Sequence, residues 1–420
     1  MENATITTND TGLLPATVET EPPQYCGDGL DAFHDAYESV HGYTSLFVCI
    51  LGTIANILNI VVLSRREMRS PTNAILTGLA VADLAVMVDY MPYACHHYIW
   101  KQLNYKREEL LTYGWAVYTH FHSLFSQGCH TVSIFLTVTL AIWRYIAVAF
   151  PQKNRVWCRI ETTITTIILS YIISPIIISP LYFNYSIVAR NETVDALGQR
   201  IPDNANKSNV ETYEITTYVM NWSKFTREHP AFNVFCLWTY SVIIKLIPCI
   251  ALTILSIRLI AALLEAKARR KMLTSNANGM KQIVNGKAVE RPRKNSKTLE
   301  KEKQTDRTTR MLLAVLLLFL ITEVPQGILG LLSASLHDSF FKNCYSKLGD
   351  LMDILALINS GINFILYCSM SRQFRSTFNL LFRPKFLDRW LPVSQDDDNQ
   401  FIRTDGRTDG NCLTTQVTQV

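Results

Sequence analysis

Charge is missing from this chain in long stretches. Seven blocks of about twenty or more residues are almost wholly apolar: Tyr43–Leu63, Ala74–Cys95, Phe121–Phe150, Thr163–Phe183, Phe232–Leu264, Met311–Leu332 and Leu348–Met370. An α-helix rises about 1.5 Å per residue, so about twenty apolar residues cross a hydrocarbon core roughly 30 Å thick. Inside lipid every backbone N–H and C=O must be paired within the protein, which for blocks of this length selects helix. The sequence therefore predicts an all-α membrane protein, a bundle of seven spans, in place of the two or three soluble domains that 420 residues would allow. An odd number of spans puts the termini on opposite sides. The first forty residues are polar and threonine-rich without an apolar core, so the first span is expected to act as the insertion signal.

Two patterns orient the bundle. Lys and Arg gather after the first span (Arg65, Arg66, Arg69), after the third (Lys153, Arg155, Arg159) and after the fifth (Lys267, Arg269, Arg270, Lys271), which marks those connections as cytoplasmic. The N-x-S/T sequons at Asn3, Asn9, Asn184, Asn191, Asn206 and Asn221 all fall on the opposite side. We expect a multi-pass plasma-membrane protein with a glycosylated outer N-terminus (1–41), a seven-span domain (42–382) and a cytoplasmic tail (383–420). The outer loop 184–230 holds two alternating stretches, "NYSIVAR" and "TYEITTYVM", that read as a β-hairpin. The inner loop 265–310 is basic and polar, with helical extensions of its flanking spans expected at its ends. After the last span, "SRQFRSTFNLLF" sets Phe374, Phe378, Leu380 and Leu381 against Arg372 and Arg375, the pattern of a short amphipathic eighth helix at about 371–382 lying on the bilayer. Cys26 and Cys344 both fall in outer segments, where a disulfide is plausible; Cys95 is a competitor for the pairing.

Polar side chains inside the spans are costly, and each is a functional hypothesis. One group lies at mid-depth: Asn56, Asp83, Ser133, Asn359, Ser360 and Asn363. A carboxylate ringed by amides and hydroxyls suits a small hard cation or a water cluster, or simply a network that joins helices. No other cofactor is expected. A second group lies nearer the outer face: Asp89, His130, Lys245, Glu323, Gln326 and Asp353. Three carboxylates against one lysine suit a cationic ligand, above all an arginine. Glu323 either meets such a ligand or pairs with Lys245, and the residues leave both open. No phosphate-binding loop, zinc-ligand pair or nucleophile elbow points to an enzyme, no nucleic-acid partner is expected, and no repeated broken helices point to a transporter.

Taken together these residues resemble the rhodopsin-like G-protein-coupled receptors from about Gly42 to Phe382. Asn56 in "GTIAN" and Asp83 in "LAVAD" match the polar residues of the first two helices, and Arg144 with Tyr145 match the end of the D/E-R-Y motif. Pro248, Pro325 and the aromatic Phe319 match helices five and six, while Asn363 and Tyr367 match N-P-x-x-Y. The resemblance implies a sodium site at Asp83, Ser133, Asn359, Ser360 and Asn363. It implies activation and G-protein coupling through Arg144, Tyr145, Pro325, Phe319, Asn363 and Tyr367. Departures are informative: Trp143 stands where an acid precedes the arginine, Phe364 replaces the proline of N-P-x-x-Y, and Thr322-Glu323 replace the Cys-Trp of C-W-x-P. The cysteine expected at the outer end of the third span is absent, with Thr119 near its place, so the usual disulfide to the outer hairpin cannot form.

The strings "WRYIAV", "DRTTRMLLAVLLLFLITEVPQGILGLL", "DLMDILALINS" and "NFILYCSMSRQFRSTF" narrow the resemblance to invertebrate receptors for myosuppressin and related FMRFamide-like neuropeptides, with sex peptide and myoinhibitory peptide receptors as near relatives. That group implies an amidated Arg-Phe peptide as ligand, a heterotrimeric G protein of inhibitory type as partner, and Asp89, His130, Lys245, Glu323, Gln326 and Asp353 as ligand-binding residues. Receptors for tryptophan-amide peptides are the alternative. In the tail, Thr404, Thr408, Thr414 and Thr415 beside Asp396–Asp398 suit phosphorylation and arrestin binding, and Thr418–Val420 has the form that PDZ domains accept. An epitope placed before Met1 should label on intact cells and one after Val420 only after permeabilisation; the reverse pattern would overturn the orientation.

Overall fold

The structure, a computed structural model, describes residues 25–103, 106–201, 211–279, 296–336 and 338–382. Seven helices in them are long and apolar enough to cross a membrane. We number them α1 (Asp28–Leu63), α2 (Pro71–Trp100), α3 (Tyr113–Ala149), α4 (Ile160–Asn184), α5 (Pro230–Trp238, Thr239–Leu246 and Ile247–Gly279), α6 (Ser296–Ser335) and α7 (Phe341–Tyr345 and Ser346–Met370). A further helix, α8 (Arg372–Phe382), follows. From Arg375 onward the chain is a unit of its own. The sequons Asn3, Asn9 and Asn206, and the tail motifs, lie outside the described residues.

Helix starts follow local chemistry. Ser70 caps α2 by accepting from the Asn73 N–H, with Pro71 at the first helical position. Thr112 caps α3 by accepting from Trp115. Two starts come earlier than the hydropathy predicts. Helix α1 begins at Asp28 within the expected 1–41 segment, and α3 begins at Tyr113. Apolar runs report the thickness of lipid, whereas a capped helix continues beyond it; Asp28 and Asp31 also complement the positive end of α1. Similarly, α5 runs on to Gly279 and α6 starts at Ser296, so the inner loop is largely helical extension.

The bundle is fastened by side chains that reach neighbouring backbones. Asn56 Nδ2 donates to Gly52 O and to Ser360 O, both at 3.0 Å, which ties α1 to α7. Tyr171 Oη donates to Gly78 O at 2.8 Å between α4 and α2. Trp143, the residue in the acid's place, donates Nε1 to Thr163 Oγ1 at 3.0 Å and so belongs to the α3–α4 seam. Helix α7 passes Phe364 without a break, as the missing proline permits, and the rings of Phe364 and Tyr367 close on Phe374 at 5.9 and 5.7 Å.

Outside the bundle stands an antiparallel hairpin, β1 (Tyr185–Asp195) against β2 (Thr212–Trp222), with Tyr185 opposite Trp222 and Asp195 opposite Thr212. It holds to the α2–α3 connection without a covalent bond. Tyr218 N–H donates to Leu111 O at 2.9 Å, Arg107 N–H donates to Gly198 O at 3.1 Å, and the Arg107 guanidinium forks onto the Glu192 carboxylate. The Cys26–Cys344 disulfide instead ties the segment before α1 to the start of α7, with Cα atoms 5.8 Å apart, and Cys95 stays free. One sequon needs correcting. Asn184 is buried, donates Nδ2 to Asn233 Oδ1 and accepts from Thr226, so a glycan there would displace the contacts that seat the hairpin. Asn191 is exposed on β1.

The hydrogen bond from Arg107 holds the Glu192 carboxyl below its ordinary 4.5. A lowered carboxyl contributes stability above its ordinary value and loses it as pH falls through the folded value. The hairpin anchor should thus persist through neutral and mildly acid pH and fail only in stronger acid. Glu192→Gln should lower the melting temperature of purified protein at pH 7 and flatten its loss below pH 4.5. An unchanged acid limb would show that the pair does not anchor the hairpin.

Candidate ligand pocket and polar core

The mid-depth layer is assembled as its residue types suggest. Asp83 on α2 is buried, and accepts from Ser133 Oγ on α3 at 2.9 Å and from Asn363 Nδ2 on α7 at 3.1 Å. Ser360 lies beside the same carboxylate. Asp83, His130, Ser133, Phe319, Asn359 and Asn363 line a cavity of about 10 Å³, room for a single water or small ion. The donors around it are a carboxylate, a hydroxyl and amide oxygens, a hard set that fits sodium in kind. Among the described residues no group of three or more His, Cys, Asp and Glu forms a transition-metal site.

Above it, α5 and α6 meet through a buried ion pair. Lys245 is 1 % exposed and Glu323 fully buried; Lys245 Nζ donates to Glu323 Oε2 at 2.5 Å and to Gln326 Oε1 at 2.9 Å. Its charge also sits 5.5 Å from the Tyr240 ring centre. Lys245 lies in a π-helical turn of α5, Thr239–Leu246, whose wider turn changes which side chains face α6. On the other side, His130 Nε2 of α3 stands 2.9 Å from Glu323 Oε1. Neither atom has a hydrogen bond of good geometry, so this is a close approach and not an aimed bond. Pro325 lies two residues on, inside α6.

The pocket's carboxylates divide by partner. Glu323 pairs with Lys245 in this conformation, one of the two readings left open by the sequence. Asp89 has His122, whose Nδ1 lies 2.7 Å from Asp89 Oδ2, while Tyr118 Oη donates to the Asp89 carbonyl at 2.7 Å. Asp353 on α7 has neither, and stands beside the hydroxyl of Tyr90, which also meets His41 Nε2 at 3.0 Å. One turn earlier Asp350 accepts from Tyr98 Oη at 2.7 Å. Both span-seven acids are half-buried, and among the described residues neither forms an ion pair. Around them Tyr93 stacks on His122 at 4.1 Å and on His97 at 5.0 Å. Sequence reasoning missed Asp350, His122, Tyr90 and Tyr98. The i, i+3 acids in "DLMD" were a signal, but the tyrosines and the histidine lie on other helices whose rotation no sequence pattern reports.

At the opposite end of the bundle from the hairpin, Arg144 Nε and Tyr367 Oη are buried without hydrogen-bond partners among the described residues. Tyr145 packs edge-on to Phe150 at 6.0 Å.

The family model "Serpentine type 7TM GPCR chemoreceptor Srw" matches residues 43–385. The chain is 30% identical over 367 residues to the "G-protein coupled receptor dmsr-1" of Caenorhabditis elegans, spanning 84% of this chain and 69% of that protein. It is 28% identical to the "Sex peptide receptor" of Drosophila melanogaster, over 82% and 72% of the two chains. It is 23% identical to the "FMRFamide receptor" of the same fly, over 82% and 54%. Each of these is a receptor and none an enzyme.

Removing one member of a buried ion pair strands the other, at a cost of about 3–5 kcal/mol, whereas neutralising both costs much less. Lys245→Met should sharply reduce folded protein at the cell surface, and Lys245→Met with Glu323→Gln should recover most of it. If the double variant is no better than the single, the two charges are not each other's main partners.

Proposed function

We propose that this chain, which belongs to the serpentine seven-transmembrane G-protein-coupled receptor family, is a plasma-membrane receptor for an amidated neuropeptide of the Arg-Phe-amide kind. The observation that carries this reading is the division of the outer carboxylates. Glu323 pairs with Lys245 and Asp89 meets His122, whereas Asp353 and Asp350 meet tyrosine hydroxyls and, among the described residues, form no ion pair. A guanidinium is planar, always charged and stacks on aromatic faces, so an arginine suits carboxylates set among Tyr90, Tyr93 and Tyr98. The FMRFamide receptor among the relatives is consistent with that chemistry, and the sex peptide receptor supports a second reading, a tryptophan-amide ligand.

In this proposal the N-terminus is outside, and the peptide comes in beneath the hairpin to place its arginine on Asp353. His130, Lys245, Glu323 and Gln326 form the pocket floor and respond to the ligand without touching its arginine. Binding favours a state in which the inner half of α6 swings about Pro325, where the backbone lacks one hydrogen bond. Phe319 and Asn363 move with it, and Arg144, Tyr145 and Tyr367 build the cleft for a G-protein helix, of the inhibitory type. Asp83, Ser133, Asn359, Ser360 and Asn363 would hold a sodium ion, which neutralises the Asp83 charge in the resting state. Phosphorylated tail threonines recruit arrestin, and Thr418–Val420 takes a PDZ domain.

The test is a set of synthetic peptides, Arg-Phe-amide against Trp-amide, on cells carrying a cAMP readout. We expect Arg-Phe-amide peptides to signal, and Asp353→Asn to raise the half-maximal concentration by about ten- to a hundredfold at equal surface expression. The same change should do little when the peptide's arginine is replaced by citrulline. Response to Trp-amide peptides alone would favour the second reading, and unchanged potency in Asp353→Asn would remove the arginine contact.

A further inference from the structure

One face of α6 carries Glu323, Gln326, Gly327 and Gly330, at i, i+3, i+4 and i+7, so a polar pair sits directly below two residues without side chains. That stripe meets the π-helical turn of α5. A Cβ on Gly330 would lie 2.2 Å from Ser241 Oγ and 3.3 Å from Ser241 Cβ. A Cβ on Gly327 would lie 2.9 Å from Leu246 Cδ2 and 3.2 Å from the Cβ of Lys245 itself. Ser241 is fully buried, and its hydroxyl has no hydrogen-bond partner among the described residues. Buried polar atoms are normally paired, so the unpaired hydroxyl is a local cost at this close contact between the two helices. The approach also decides how deep Lys245 stands, since its Cβ is packed against Gly327 while its ammonium reaches Glu323 and Gln326.

We propose that Gly330, with Gly327 one turn below it, is a positioning residue: it lets α6 close on α5 to the depth at which Lys245 neutralises Glu323. This inference rests on the receptor reading, and adds how its resting state is held. Closed, the seam makes the outer halves of α5 and α6 one body and keeps Glu323 away from the ligand's arginine. Forced apart, it lengthens the Lys245 contacts and leaves a buried carboxylate short of its cation, which raises the energy of the resting arrangement relative to the active one.

The experiment uses the full-length receptor in cells and reads basal G-protein activation, without peptide, at matched surface expression. Gly330→Ala should raise basal activity by about threefold to tenfold. Ser241→Gly removes the atoms that the new methyl would strike, so Gly330→Ala with Ser241→Gly should return to the wild-type level. In a Glu323→Gln background Gly330→Ala should add nothing, which a merely structural defect would not predict. If Gly330→Ala does not reach the surface, Gly327→Ala with and without Leu246→Ala applies the same test through a flexible neighbour. Unchanged basal activity in the surface-expressed glycine variants, failure of the relieving substitution to restore it, or an undiminished effect with Glu323→Gln would each overturn the proposal. Because no peptide is used, a wrong ligand class would leave this result standing and show only in the peptide panel.

Discussion

The outer half of the bundle depends on one constraint: a lysine and a glutamate have been taken out of water together. Neither Lys245 nor Glu323 is tolerable there alone, and their attraction fixes α5 against α6 with a geometry that an apolar contact would not specify. Once that pair is made, its neighbours acquire their meanings. Gln326 shares the ammonium, His130 stands at the remaining oxygen, and Tyr240 offers its ring face. The acids of α2 and α7 are then distinguished by their direct partners among the described residues, a histidine for Asp89 and tyrosine hydroxyls for Asp350 and Asp353.

The mid-depth layer lies next to the Lys245–Glu323 pair along the bundle. His130 lines the small cavity that also holds Asp83, and Ser133, one turn further along α3, donates to Asp83. Asn363 reaches the same carboxylate from α7, the helix that also carries Asp353. Helices α3 and α7 thus touch both layers, as do α2 through Asp83 and Asp89 and α6 through Phe319 and Glu323. Tyr367 lies one turn beyond Asn363 on the same helix, and its buried hydroxyl has no hydrogen-bond partner among the described residues.

Much of the fold was legible because its strongest constraints are one-dimensional. Apolar blocks of bilayer length announced seven spans, alternation announced β1 and β2, and the two outer cysteines joined as their placement allowed. Lys245–Glu323 and the Asp83 group were among the readings the residues allowed, whereas the partners of the outer acids were not legible. His122 and Asp89 are 33 residues apart on different helices, and only the rotation of each about its axis brings them together. The buried Asn184 shows a different blindness, since a sequon is defined by three residues and says nothing about what packs over the first. The early starts of α1 and α3 were hidden because hydropathy measures solvent preference, whereas helix length is set by caps and charges at the ends.

The two attachments on the outer surface differ in kind. The segment before α1 is joined to α7 by sulfur, whereas the hairpin is held to the α2–α3 connection by an ion pair and two backbone hydrogen bonds. A thiol reductant in the surrounding fluid therefore acts on the first and has no bond to cut in the second. Dissolved ions do the opposite: they screen the half-exposed Arg107 and leave the disulfide intact. The hairpin and the disulfide-bonded segment thus answer to separate features of the surrounding medium, one to its salinity and the other to its redox state.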